Sequence, residues 1–423
     1  MSMPDPVLPQ PGPMPQLVVR SHRVEGVSAA LMDHLPDTGA LAWVRRGDGL
    51  VGWGEAARLD VAGGNRFTDA QAWWQALTGA AVVRDEVGVP GSGLVCFGSF
   101  GFTDDDPGEL VVPEVIVGRR GHTTWVTTVS PASSLAARPE LTWYEPDPVG
   151  EVAFADGARS GTEWSAIVAD AVTRITAGEV EKVVLARDLI ALASGPIDLR
   201  RPLRRLAATY PNCWTFAVDG LIGATPELLV RREKGLITSR VLAGTIRRTG
   251  DDAHDLALAA SLARSSKDLE EHEFAVRSVA DALAPHCKSM NVPETPFVLH
   301  LPNVMHLASD VAGVAANGAS ALGLAAALHP SAAVCGTPTD VARDLISEIE
   351  GMSRGRYAGP VGWMDAGGDG EWGIALRCGQ SDPEDPTRMR LFAGCGIVAG
   401  SDPAAELAES TAKLVPMRDA LGD

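Results

Sequence analysis

The strongest constraint on the fold is a pattern of short apolar runs closed by tight-turn dipeptides in the second half of the chain. Trp214 to Val218, Leu221 to Ile222, Pro226 to Arg232 and Leu236 to Leu242 are punctuated by Asp219-Gly220 and Lys234-Gly235. Both dipeptides supply the left-handed backbone that a two-residue hairpin requires. Such runs read as an antiparallel meander, and Gly359 to Asp365, Glu371 to Arg377 and Thr387 to Phe392 read as a second. Helical spacing surrounds them. Trp164, Ile167, Val168, Ala171 and Ile175 predict a helix over about Thr162 to Ala177, with Ser160 or Thr162 as cap and Gly178 as stop. Further helices are expected at about Asp251 to Arg264, Lys267 to Ala284, Val341 to Ile349 and Pro403 to Leu421. Antiparallel meanders with helices between them give an α+β fold rather than a doubly wound one.

The first half carries a different texture. From Leu17 to about Val149 the pattern is strand-like throughout, with runs at Ala40 to Val44, Gly93 to Phe97, Val111 to Val117 and Thr123 to Val129 between Gly, Pro and Asp turns. Pro146-Asp147-Pro148 marks an internal boundary between segments 17–149 and 150–423, although one unit built across it fits the sequence equally well. Residues 1–16 are Pro-rich, without a basic start followed by an apolar run, and read as a disordered lead-in rather than a signal peptide. Val311 to Thr339 lacks Asp, Glu, Lys and Arg, but Asn317, several glycines, His329 and Pro330 interrupt it. A short buried helix over Ala319 to Leu328 is the better reading than a membrane span.

Charge narrows the partners. Acidic residues outnumber basic ones 54 to 36, for a formal charge of -18, so nucleic acid and anionic lipid surfaces are repelled. A small dianionic substrate would be repelled too unless a local cluster of Lys, Arg or metal captures it inside a cleft. The six cysteines contain no C-x-x-C pair, which argues against a zinc site or disulfide framework and fits a reducing cytoplasm.

Several residues are placed to supply such a cluster. Strand alternation puts Lys182 on one face with Val180 and Val184, where desolvation favours the neutral amine of a general base; a strand-end lysine reaching back to water fits the same pattern. Glu227, in a strand with Leu228, Leu229 and Val230, is a candidate general acid or an edge-strand carboxylate facing solvent. Asp268 and Glu271 share one helix face, and Glu406, Glu409 and Lys413 share another. Two helices presenting carboxylates across a cleft suit Mg²⁺, while each helix alone equally suits a solvated, salt-bridged surface. Ser265 to Asp268 also resembles a capping box. Gly394 to Gly400 departs from G-x-G-x-x-G and has no second strand after it, which excludes a Rossmann site but leaves backbone amides able to approach an anion. Arg377, at a strand end, and Tyr357, in a Gly-rich segment, are candidates for orienting a carboxylate or for ordinary packing.

Taken in order, these segments resemble the chorismate-utilising enzymes. The resemblance rests on Glu181-Lys182-Val183-Val184-Leu185-Ala186-Arg187, Ala224-Thr225-Pro226-Glu227-Leu228-Leu229 and Leu242-Ala243-Gly244-Thr245. It continues through Ser266-Lys267-Asp268 with Glu271-His272, Leu301-Pro302-Asn303-Val304 with His306-Leu307, Leu328-His329-Pro330, Tyr357 to Gly362 and Ala393 to Gly396. The match is strong over about Thr162 to Leu421, and Gly49 to Gly54 looks like the divergent first half of isochorismate synthases. It implies one large unit of two antiparallel sheets packed together with helices outside, an α/β sandwich like that of anthranilate synthase component I. It further implies that Lys182 activates water for attack at C2 of chorismate and that Glu227 protonates the departing C4 hydroxyl. Glu271 and Glu409 match direct Mg²⁺ ligands, with Asp268 and Glu406 acting through water. Tyr357, Arg377, Lys413 and the amides near Gly394 and Gly396 match positions that contact substrate carboxylates, and Gly244, Thr245 and His306 match other pocket positions.

Lys182 itself directs the reading toward isochorismate synthases, because relatives that add ammonia usually carry a non-basic residue there. No glutaminase subunit is then expected, and the chain is expected to be a monomer or weak homo-oligomer. Salicylate synthases share this lysine and are the nearest alternative, although Ala399-Gly400-Ser401-Asp402-Pro403 looks more like the isochorismate synthases.

Overall fold

The computed structural model describes residues 14–25, 30–134, 139, 141, 145–301, 304–316 and 318–422; within it, the side chains of Lys267 and Glu271 are not described. The lead-in read for residues 1–16 therefore falls outside the described residues up to position 13, as do Asn317 and the Pro302-Asn303 part of one motif.

Among the described residues two sheets form, one of thirteen strands and one of ten. The larger runs from Val152–Asp156 through Lys182–Ala193, Arg388–Ile397, Cys378–Ser381, Leu221–Thr225, Trp214–Val218, Leu41–Arg45 and Asp48–Trp53 to Val115–Arg120, Thr123–Pro131, Leu17–Arg23 and Val82–Asp85. The smaller includes Val304–Ala315, Leu236–Arg247, Leu228–Glu233, Gly370–Ile374, Pro360–Asp365, Val95–Ser99 and Gly108–Val112. Pairing is antiparallel except where Leu17–Arg23 meets Val82–Asp85. With helices on the outside, this is the expected α+β architecture, and both sheets take strands from either side of residue 149.

Alternation in the strands explains why both faces of the larger sheet are covered. Trp43 joins Phe97, Phe216 and Trp372 in the main core shared by the two sheets, whereas its neighbours Ala42 and Val44 join Leu203, Leu206, Leu414 and Met417 in a second core beneath the helices Arg200–Thr209 and Pro403–Leu421. Burial of large aromatics such as Trp43 and Trp372 supplies much of the driving force for this packing. The indole N–H groups of Trp43 and Trp214 both donate to Glu371 Oε2, at 2.8 and 2.9 Å, so a carboxylate of the smaller sheet pins two rings of the larger.

The two meanders differ from the expectation in one respect that matters for function. Each is cut and shared between the sheets. Leu221–Thr225 lies in the larger sheet and Leu228–Glu233 in the smaller, so Pro226 and Glu227 form a crossing rather than strand interior. Gly370–Ile374 and Cys378–Ser381 are divided in the same way, leaving Arg377 in the link, with a left-handed backbone (φ 51°), instead of ending a strand. The run Val111 to Val117 is likewise two strands, Gly108–Val112 and Val115–Arg120, in different sheets. Pro113 and Pro226 lack the N–H that a continuing ladder needs, and at both the chain changes sheets.

Helices follow their caps. Gly161–Thr176 starts at Ser160, whose hydroxyl accepts from Glu163 N in a full capping box, and it buries Trp164, Val168, Ala171 and Ile175 along one stripe. Ser266–Leu283 is capped by Ser265, which accepts from Asp268 N. Pro403–Leu421 is capped by Asp402, with Pro403 at the first turn. Arg66–Ala80 is a helix in the half read as strands; its buried residues Arg66, Ala70, Trp74 and Leu77 do fall on one helical stripe, but Phe67, Ala72, Trp73 and Ala76 put apolar residues on the other faces and blur the period. In the uncharged stretch, Val304–Ala315 is a strand and Ala321–Leu328 a short buried helix. Among the described residues no helix is long and apolar enough to cross a membrane.

Candidate active site

Both crossings open onto one cavity of about 410 Å³. Lys182 enters it from the first residue of its strand, with Val184 on the same face as alternation requires. Glu227 and Arg377 come from the two crossings. The smaller sheet contributes Gly244, Thr245 and His306; the larger contributes Gly394 and Gly396; Tyr357 comes from the segment before Pro360–Asp365. Asp268 reaches it from one helix, and Glu406, Glu409 and Lys413 from another. The side chain of Glu271 lies outside the described residues.

Three glycines shape the cavity by what they leave out. Gly244 occupies a register shift in its strand with φ at 77°, a conformation that suits glycine, and a Cβ there would come 3.2 Å from Asp268 Cβ. A Cβ at Gly396 would meet Lys182 Cε at 2.9 Å, and one at Gly394 would meet Tyr357 Oη at 3.0 Å. The tyrosine ring is held by stacking on Phe392, 5.2 Å between centroids and 8° between planes.

Charge is distributed unevenly along the cavity. Glu227 is buried, and desolvation pushes its carboxyl up to about 7 against the opposing influence of Lys182, Lys413 and Arg377. It can therefore hold a proton near neutral pH. At the other end, Lys413 Nζ lies 2.7 Å from Glu409 Oε1 and donates to Gly394 O at 2.9 Å. Burial would raise Glu409, but Lys413 in contact and Arg377 nearby hold it below the ordinary carboxylate range. Burial raises Glu406, opposed by the Ser401 hydroxyl that donates to its Oε1 at 2.8 Å. His306 is pushed down to about 3, chiefly by burial, and is neutral; its Nδ1 pairs with Thr245 Oγ1 at 2.9 Å. Its Nε2 is buried with no hydrogen-bond partner among the described residues, a polar atom available to a ligand.

One cluster at this end could hold a divalent cation. The ligand atoms of Cys395, Glu406 and Glu409 lie within 4.8 Å of one another. Burial raises the Cys395 thiol to about 12, which leaves Glu406 and Glu409 as the hard oxygen groups of this cluster that could hold a cation. Sequence reasoning missed Leu242, Ala333, Arg354 and Ser401 as lining residues. Leu242 was accessible from period-two spacing with Gly244, and Ser401 from its place in the loop before the helix; Arg354 gave no local signal.

A protein-family model described as chorismate binding enzyme matches residues 40–422. The chain belongs to the chorismate-binding enzyme family. Within this family, the isochorismate synthase DhbC of Bacillus subtilis (strain 168) is 42% identical over 267 residues, 60% of this chain and 66% of its own length. That match thus spans just under two thirds of the relative. The salicylate biosynthesis isochorismate synthase of Pseudomonas aeruginosa is 35% identical over 413 residues, 91% of this chain and 85% of its own. The crystal structure of DhbC from Bacillus anthracis superposes with a TM-score of 0.76 at 32% identity, covering 92% of this chain and 98% of that one. The family resemblance read from the ordered motifs is therefore the family that residues 40–422 match.

Proposed function

We propose that the chain is an isochorismate synthase, an isomerase that moves the hydroxyl of chorismate from C4 to C2. The observation that carries this reading is the pairing, in one cavity, of Lys182 with a buried Glu227 whose carboxyl titrates near 7. Lys182 takes a proton from a water that attacks C2; both conjugated ring double bonds shift toward C4, the C4–O bond breaks, and Glu227 delivers the proton that lets that oxygen leave as water. Matching a base to the nucleophile and an acid to the leaving group lets one site run the reaction in either direction. Arg377, Lys413, Tyr357 and the amides at Gly394 and Gly396 hold substrate carboxylates, and His306 Nε2 offers a neutral hydrogen-bonding group.

Glu406 and Glu409, with Asp268 and Glu271 on the facing helix, would hold Mg²⁺. Bound there, the ion neutralises the ring carboxylate and orients the substrate. The carboxylate-rich rim otherwise repels a dianion, which supports the need for a metal. The protein works in the cytoplasm, where its six cysteines stay reduced, and takes water without a glutaminase subunit.

The test is product analysis by liquid chromatography and mass spectrometry of chorismate incubated with the protein, with and without Mg²⁺ and ammonium. Metal-dependent isochorismate in equilibrium with chorismate is expected. Salicylate with pyruvate, or an aminated product, would transfer the assignment to a sister activity.

A further inference from the structure

We propose that the buried pair Glu350 and Arg354 is a positioning device for Lys182, standing in for a strand that the larger sheet lacks beside residues 184–186. The inference rests on the reading of Lys182 as the base. One edge of Lys182–Ala193 pairs with Arg388–Ile397 from Val183 to Leu192. The opposite edge pairs with Gly336–Thr337 at Lys182 and Val183, and with Val152–Asp156 from Leu189 onward. Between these two partners no strand of the described residues covers the edge, and buried backbone groups there need other partners.

Side chains supply most of them. Val184 N donates to Cys335 O at 2.8 Å, and Val184 O accepts from Arg354 Nη2 at 2.7 Å. Ala186 N donates to Glu350 Oε2 at 2.7 Å, and Ala186 O accepts from Trp164 Nε1 at 2.9 Å. Arg354 also donates to Glu350 Oε1 at 2.8 Å, to Glu350 Oε2 at 2.6 Å and to Val334 O at 2.9 Å. Its guanidinium lies 4.1 Å from the centroid of Phe102. The pair is thus 1–2% exposed and hydrogen-bonded through both carboxylate oxygens and all three guanidinium nitrogens, and it ties the segment 184–186 to Val334, which also lines the cavity.

A well-packed apolar pair would fill this space without desolvating two charges. The ions add directional bonds to two backbone groups, which fix the strand against sliding. Lys182 lies two residues from Val184 on the same face, so a slide at Val184 moves the ammonium in the cavity by the same amount.

Two variants test this. Arg354→Lys keeps the charge but loses the fork that reaches Val184 O and Val334 O. The double variant Glu350→Met/Arg354→Met removes the ladder bonds without leaving a lone buried charge, so it keeps a cooperative melt if either one does. The expected result, in whichever variant melts cooperatively, is a fall in kcat of about a hundredfold with KM for chorismate unchanged. Adding Lys182→Ala to that background is expected to lower the rate by less than Lys182→Ala does alone, because both act through one group. A folded variant with kcat within about twofold of wild type, a loss carried by KM, or losses that multiply would overturn the positioning role. Turnover retained by Lys182→Ala alone would instead sink the base assignment on which the role depends.

Discussion

Glu227 and Glu409 face the same cavity, yet their carboxyls are driven in opposite directions. Glu227 is buried at a chain crossing and, among the described residues, has cations near it but none in ion-pair contact, so desolvation prevails and the proton is retained. Glu409 is also drawn upward by burial, but Lys413 at 2.7 Å and Arg377 reverse the outcome. Contact with a cation, rather than membership of the same pocket, decides whether a carboxylate serves as an acid or as a charged ligand.

If the division of roles is correct, the largest effect belongs to the acid and its partner. Glu227→Gln and Lys182→Ala should each lower kcat by about 10² to 10⁴ in a steady-state chorismate assay, with near-normal melting. Retained turnover in either would end the comparison at once. The next effect is on stability. Glu227 binds its proton more tightly folded than unfolded, so its ionisation costs the native state nothing below the ordinary value of 4.5 and progressively more as pH rises to about 7. Above that the cost is about 3 kcal/mol at 1.36 kcal/mol per pKa unit. Glu227→Gln cannot ionise, so urea melts should show it gaining on wild type between about pH 5 and about pH 8.5. A pH-independent difference between the two would show that burial does not control this carboxyl. In the same range kcat/KM should fall as pH rises through about 7, because the protonated acid is lost.

The ligand end predicts smaller changes. Glu409→Gln should raise the half-saturating Mg²⁺ concentration by about tenfold, read by metal titration of activity and by calorimetry of the protein alone. An unchanged metal midpoint would remove Glu409 from the donor set. Lys413→Met withdraws the cation in contact with Glu409, whose carboxyl should then titrate higher. Infrared titration of the carboxyl band reads this directly, and no movement would mean that Arg377 suffices.

Much of this site was legible from local pattern. Two-residue alternation put Lys182 with Val184, and three- and four-residue spacing put Glu406, Glu409 and Lys413 on one face; all line the cavity. Caps and stops located the helices that carry them, as at Ser265 and Asp402. The first half was less legible, since in the helix Arg66–Ala80 the buried stripe Ala70, Trp74 and Leu77 is blurred by apolar Phe67, Ala72, Trp73 and Ala76 on the other faces.

The sequence by itself determined most element types of the second half, the α+β class and the residues able to do chemistry, because periodicity, turn dipeptides and caps are local properties. Only the tertiary structure decided that the meanders split between two sheets at Pro226 and near Arg377, which turns Glu227 from a strand residue into a buried acid at a crossing. It also decided that Glu350 and Arg354 replace a strand beside Lys182. Sheet partners and desolvation depend on segments hundreds of residues apart, and no local pattern encodes them.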